Sequence, residues 1–438
     1  MRAVKTVEEH RSQTDQPCLA VLALFAVEAI CVAVNAQPEL VWHRTYGGNR
    51  WDAGLGVVET GDGGFVVSGI TYSFGAGQSD FYILKIDGNG NRIWEKSFGG
   101  DGWDEGGHLV QSGDGGFVVG GYTSSFGLGE YDVCLLKIDR EGNLVWYKTY
   151  GGPNCDYAFS ITEGRDGFLV AGETFSFGDP DPDAYFLKVD GEGSKVWERT
   201  YGGNRSDCAT CVIQTGDGGY LAGGYTSSFG AVDDDAYLLK IDCEGGKVWE
   251  RIYGGSGHDS VAAIAKARDG HYLVVVRMDT LGDVLVLNID PEGNVIWNRT
   301  YGGSGVDMAG GIAESIDGGF VLAGATNSFG AGSMDVYLLM IDNNGDLIWS
   351  KAYGGRGEDS AVGIARIGEG EFVVVGQTDS FGAEDKDVYV LKIRDESLIP
   401  IREFGLGFPV LALFFWLFSR IHHTFHCDGS LAICESRL

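Results

Sequence analysis

The sequence predicts an all-β fold, a seven-bladed β-propeller of four-stranded blades. Two observations carry that expectation. Tryptophan recurs as Trp42, Trp94, Trp146, Trp197, Trp249, Trp297 and Trp349, at intervals of 52, 52, 51, 52, 48 and 52 residues. Each interval holds four short apolar runs separated by Gly, Asp and Asn, and no segment inside the repeats sustains a 3.6-residue apolar period. Seven copies fill residues 37–397.

The elements of one copy follow in order. The first strand begins at the Asp of the "YGG…D" link, the second reads "GGFVLAGAT", the third "DVYLLMID", and the fourth, the Trp strand, ends in "TYGG". The turns "GDGG" and "NNGD" put Gly, Asp and Asn where hairpins need positive φ, which accounts for 71 Gly in 438 residues. Four strands per fifty residues form one twisted sheet whose two faces must be covered by neighbouring sheets, as in a propeller blade. A β-solenoid coil needs only about 20–30 residues, so the period disfavours that alternative. The last copy stops after "DVYVLKIRD" without a Trp strand, whereas the chain opens its repeats with a surplus one, "PELVWHRTYGG". Glu39–Tyr46 is therefore expected to pair with Asp387–Arg394 and close the ring, leaving no sheet edge exposed.

Outside the repeats, residues 1–36 read as a signal peptide. The run "CLAVLALFAVEAICVAVNAQ" is apolar apart from Glu28, and Val34, Asn35 and Ala36 suit cleavage after Ala36; an uncleaved anchor is the alternative. Residues 398–420 read as a C-terminal membrane anchor, a transmembrane helix built on the uncharged stretch from Phe404 to Phe418, with 421–438 a short tail. The localisation expected is the cell surface, with an extracellular propeller.

Charge narrows the partners. With 26 basic and 55 acidic side chains, residues 37–400 hold nearly all of the net charge of −30. Such a surface repels phosphate backbones, so nucleic acid is excluded as a partner, and cations or neutral polymers fit. Nine Cys occupy no equivalent repeat positions, so no disulfide framework follows. Cys208 and Cys211 form a CxxC on a strand, where residues three apart point to opposite faces. Asn204 and Asn298 are glycosylation sequons.

Here the chain resembles the β-propeller-repeat proteins of bacterial and archaeal cell surfaces, with kelch- and quinoprotein-like blocks of the form "AGYT.SFG….D.YLLKID..G…W". The likeness covers all seven copies and implies an extracellular protein, most relatives having no assigned activity. "IDNNGDLIW" resembles the tryptophan-docking hairpin of quinoprotein propellers, but its turn is one residue shorter and those dehydrogenases have eight blades, which weakens any quinone reading. A short "EFG" stretch, Glu403–Gly405, resembles the segment preceding the anchor of archaeal surface proteins.

Two sets of Asp recur in every copy: Asp52, Asp104, Asp156, Asp207, Asp259, Asp307 and Asp359, and Asp80, Asp132, Asp183, Asp235, Asp283, Asp335 and Asp387. Sevenfold repetition suits a structural role in Asx turns; a ring of cation ligands is the alternative. Both sets fall in connections on one face of the disc, whose long loops nominate it for binding. Function should lie where copies differ. Just before the first Asp stand Trp51, Trp103, Cys155, Ser206, His258, Val306 and Glu358. Trp51 and Trp103, in adjacent blades, would suit a sugar ring if exposed, with His258 and Glu358 further candidates on the same rim. Asp179, Asp181 and Asp183, with Asp233, Asp234 and Asp235, are hard oxygen donors that make calcium the possible cofactor. The fifth-blade loop from Arg277 to Asp283 is about four residues shorter than its counterparts.

No G-x-S-x-G, HExxH, phosphate loop or dinucleotide fingerprint is present, so no catalytic residue is assigned. The sequence favours a monomeric binding or interaction module for a glycan or protein ligand on the long-loop face. A secreted polysaccharide hydrolase or lyase is the competing class.

Overall fold

Each repeat folds as one antiparallel sheet because its two middle segments are apolar throughout. In blade 1 the strands are Asp52–Glu59, Phe65–Thr71, Asp80–Ile86 and Arg92–Phe98, in that order from channel to rim. Every residue of the second and third strands is buried, whereas the outer strand is half exposed. A strand covered on both faces must read as a continuous apolar run, and "FVVSGIT" and "DFYILKI" do. The computed structural model describes residues 37–230, 233–278, 282–382 and 385–398. Within them lie seven four-stranded sheets.

The core lies between blades. Val66, Phe81 and Ile83 of blade 1 bury against Leu109, Phe117, Val119 and Leu136 of blade 2, and comparable clusters fill the other interfaces. The ring closes as expected: the seventh sheet takes Glu39–Tyr46 as its outer strand against Asp387–Arg394, with Trp42 opposite Lys392 and Tyr46 opposite Val388.

Two repeated contacts lock one blade to the next. On the hairpin face six of the seven outer-strand Trp residues, all but Trp349, lie over a turn of the following blade. Gly90 there has φ +79°, and a Cβ would come 3.2 Å from the Trp42 ring, so only glycine fits. Tyr46 Oη donates to the Gly90 carbonyl at 2.5 Å, a bond repeated by Tyr253 to Gly293 and Tyr301 to Gly345. At the seam that turn is missing. Trp349 Nε1 instead donates to the Asp395 carboxylate at 2.6 Å, and Lys351 Nζ to the Pro38 carbonyl at 2.8 Å.

On the opposite face the amide of each first Asp donates to the preceding blade's long loop: Asp104 to Ser79, Asp156 to Tyr131, Asp207 to Pro182, Asp259 to Asp234, Asp307 to Gly282, Asp359 to Met334 and, across the seam, Asp52 to Lys386. Seven equivalent bonds thus complete the circle.

Every inner strand carries a β-bulge, between Gly54 and Gly56 in blade 1 and at the same place in the other six. The extra residue turns toward the central channel, which the alternation of the sequence does not predict.

The predicted anchor is met only at its first residue. Leu398 is buried in a 3-10 turn, Glu396–Leu398, against the last interface. Residues 1–36, 404–418 and 421–438 lie outside the described residues, among which no helix is long and apolar enough to cross a membrane.

Candidate functional site

The two Asp sets meet pairwise at the blade junctions, an outcome invisible in either set alone. Asp80 and Asp104 flank Gly99: a Cβ on that glycine would lie 2.8 Å from Asp104 Oδ2 and closer still to Asp80. The same arrangement places Asp132 with Asp156 at Gly151 and Asp183 with Asp207 at Gly202. The first Asp ties the link to the loop, since Asp52 Oδ2 accepts the Gly48 amide at 2.8 Å and the Ser73 hydroxyl at 2.6 Å. The second closes its own loop, as Asp132 Oδ2 does with the Leu128 and Gly129 amides. Burial, and then the neighbouring Asp104 charge, push the Asp80 carboxyl up to about 6. Structural use of these carboxylates is therefore repeated around the ring.

The residues expected for calcium are divided in the same way. Asp183 is buried and accepts the Asp179 amide at 2.9 Å, while Asp179, Asp181 and Asp233 are exposed. Asp234 accepts from the Ser227 hydroxyl and contacts His258 Nδ1 at 2.8 Å. Among the described residues no group of three or more His, Cys, Asp or Glu is placed to hold a metal ion.

The variable rim position gives a different picture. Trp51 and Trp103 stand on the long-loop face, but they form no pair. Tyr72 lies between them, its ring 4.9 Å from Trp51 and 5.8 Å from Trp103. Trp51 is half-buried, with Nε1 donating to Gln377 Oε1 at 2.9 Å; Trp103 is 38% exposed. The expectation of two free indoles is thus corrected to a row of three rings whose outer member faces solvent. Arg50 covers the Tyr72 ring at 5.7 Å. His258 and Glu358 lie elsewhere on the rim, held by Asp234 and by Lys386 Nζ at 2.8 Å respectively.

Toward the channel the row leads to a carboxylate. Glu105 accepts from the Tyr122 hydroxyl and lies 3.5 Å from that of Tyr72. Beyond it Tyr122, Tyr131 and Tyr157 contact one another edge-on or tilted. Tyr72, Glu105 and Tyr122 lie outside the column before the first Asp; the signal that marks them is variation in the columns flanking the Thr of "T.SFG" and in the column after the first Asp.

The mouth of the channel is a cavity of about 300 Å3. The bulge residues Leu55, Phe159, Thr210, Ala262, Gly310 and Val362 line it. In blade 2 the wall adds His108 where other blades carry Gly, Ser, Cys or Ala, and burial lowers the pKa of its imidazole. Glu105, Tyr122 and Arg277 are the remaining ionisable lining groups. Cys208 and Cys211 are buried free thiols, the former beside Glu173 and the latter in the apolar interface with Val261; the bulge between them pairs them with Tyr225 and Gly223, two residues apart, so the opposite-face placement expected of a regular strand does not hold.

No family profile and no curated relative matches the chain. Among solved structures it is similar to the Pan2 WD40 domain of Neurospora crassa, with a TM-score of 0.52 and 10% identity over 83% of this chain and 97% of that one. It is also similar to Sqt1 from Chaetomium thermophilum, at 0.47 and 13% over 78% of this chain and 82% of that one. A third, puromycin hydrolase, gives 0.46 and 15% over 76% of this chain and 51% of that one. At such identities the likeness concerns architecture alone: the chain is a seven-bladed β-propeller, a fold consistent with a binding or interaction module.

Proposed function

We propose that the chain is an extracellular, membrane-anchored binding module that takes a glycan on its long-loop face. The observation carrying this reading is the Trp51–Tyr72–Trp103 row, which ends in an exposed indole and abuts a carboxylate at the channel mouth. A flat aromatic surface takes the apolar face of a sugar ring, and an acidic oxygen beside it accepts hydroxyls. The rest of the repeat is used in holding blades together, so it leaves few groups for a ligand. The apolar runs at both ends of the sequence support export and anchoring.

Glycan arrays probed with the intact propeller test the reading. Wild type should bind, and Trp103→Ala with Tyr72→Ala should abolish binding while moving the melting curve little. Truncating an exposed ring usually costs within about 0.5 kcal/mol, although Tyr72, being half-buried, adds somewhat more. Binding retained in the folded double variant would move the site off this row. A protein partner captured with no glycan bound would replace the ligand class, and turnover of a labelled polysaccharide would replace the binder by the hydrolase or lyase class.

A further inference from the structure

The mouth of the central channel holds one cation that the fold leaves unused. Arg277 is the penultimate residue of the second strand of blade 5, and its side chain lines the cavity shared with Glu105, His108 and Tyr122. Among the described residues no carboxylate pairs with it, in a chain whose net charge is −30. Two other cations near this face are engaged: Lys386 with Glu358 at 2.8 Å and Arg50 over the Tyr72 ring. The corresponding positions of the other blades hold Ile70, Tyr122, Glu173, Tyr225, Ala325 and Gln377, so only blade 5 presents a positive charge there. Blade 5 lies across a seven-membered ring from blades 1 and 2, which carry the aromatic row.

We propose that this cavity receives the carboxylate of an acidic sugar, with Arg277 as its partner and the neighbouring sugar ring on Tyr72 and Trp103, which stand outside the cavity beside its lining residue Glu105. The proposal rests on the loop-face reading and adds the ligand's charge to it. A guanidinium fork matches a carboxylate with two parallel hydrogen bonds. Ser260, paired with Arg277 in the sheet, brings a hydroxyl beside it. Arg277 is exposed at the cavity, and although partial desolvation there presses its pKa downward, an arginine remains charged, so an entering anion meets a full positive charge. The singly charged carboxylate suits the site better than phosphate, because the acidic repeats repel a dianion more strongly. At about 300 Å3 the cavity sits at the small end of ligand pockets, roughly 300–1,000 Å3, and so suits a single sugar unit.

The probe pair is a glucuronate-terminated disaccharide and its carboxyl-reduced counterpart, which carries glucose in the same place. Calorimetry on the intact propeller should show the acid binding at least tenfold more tightly than the reduced sugar. Arg277→Gln, with an unchanged melting curve, should bring the two affinities together, and Arg277→Lys should restore part of the preference. Equal affinity in wild type, a preference that survives Arg277→Gln, or no binding of either sugar would each overturn the assignment. Trp103→Ala separates the two readings: it should weaken both sugars alike, and if it changes neither while Arg277→Gln acts, the aromatic row fails and the charged cavity stands.

Discussion

The blade junctions and the channel mouth are built from neighbouring columns of the same repeat, yet they obey opposite rules. At the junctions the same Asp pair flanks the same Gly around the ring, each link bonding to the preceding loop. At the mouth, one residue away along the inner strand, the chain presents Ala53, Glu105, Tyr157, Cys208, Ser260, Met308 and Ser360. Repetition marks the contacts every blade needs to hold its neighbour. Variation on a fixed scaffold marks positions released from that duty, and two of them, Glu105 and Ser260, line the cavity containing Arg277.

The comparison is broken most severely at the seam. Deleting residues 37–46 removes the outer strand of the seventh sheet together with the Pro38 carbonyl that Lys351 and Tyr353 use. The bare third strand would then be an open sheet edge, and the protein should be recovered as aggregate by size-exclusion chromatography. A soluble, cooperatively melting deletion product would show that the ring does not depend on closure.

A smaller effect is expected inside one junction. Gly99→Ala drives a methyl into the Asp80 and Asp104 carboxylates and should cost about 1–3 kcal/mol in denaturant unfolding, as overpacking does. Ser260→Ala at the mouth, which fills no such space, should stay within about 0.5 kcal/mol. Equal losses at both positions would erase the distinction drawn between them.

The smallest effect is one of pH. Asp80 titrates at about 6 when folded against 3.8 unfolded, so the native state holds that proton longer. Its contribution to stability is greatest below the unfolded value and falls as pH rises through about 6. Asp217 works the other way. Despite burial, bonds from Thr215 and Lys240 hold its carboxyl at about 2, giving stability that is present above 3.8 and lost as pH falls toward 2. The melting temperature should therefore rise modestly from pH 7 to 5 and drop below pH 4. Asp80→Asn should flatten the first limb and leave the second; an unchanged first limb would mean that the junction pairs do not strain the ring at neutral pH.

Blade number, strand order and closure are legible in the sequence because they follow from periodicity: six near-equal intervals between seven Trp residues, apolar runs of strand length, and one surplus strand at the start matched by one missing at the end. The long-loop face was legible for the same reason, since connection lengths alternate along every copy. The site itself was only half legible. Trp51 and Trp103 stood out as departures in one column, but that Tyr72 separates them, that Trp51 is tied to Gln377 of the seventh blade, and that Glu105 joins the row to the channel are facts about blades meeting in space. The two Asp sets likewise read as separate repeats, because the partners in each pair belong to different copies. A sequence repeat states what each blade contains, since turns and strands are local choices of backbone conformation. Which side chains of one blade face those of the next, and which charge is left without a partner, is fixed by the twist of the sheets, the bulge in each inner strand and the closing of the ring, and so by the tertiary structure alone.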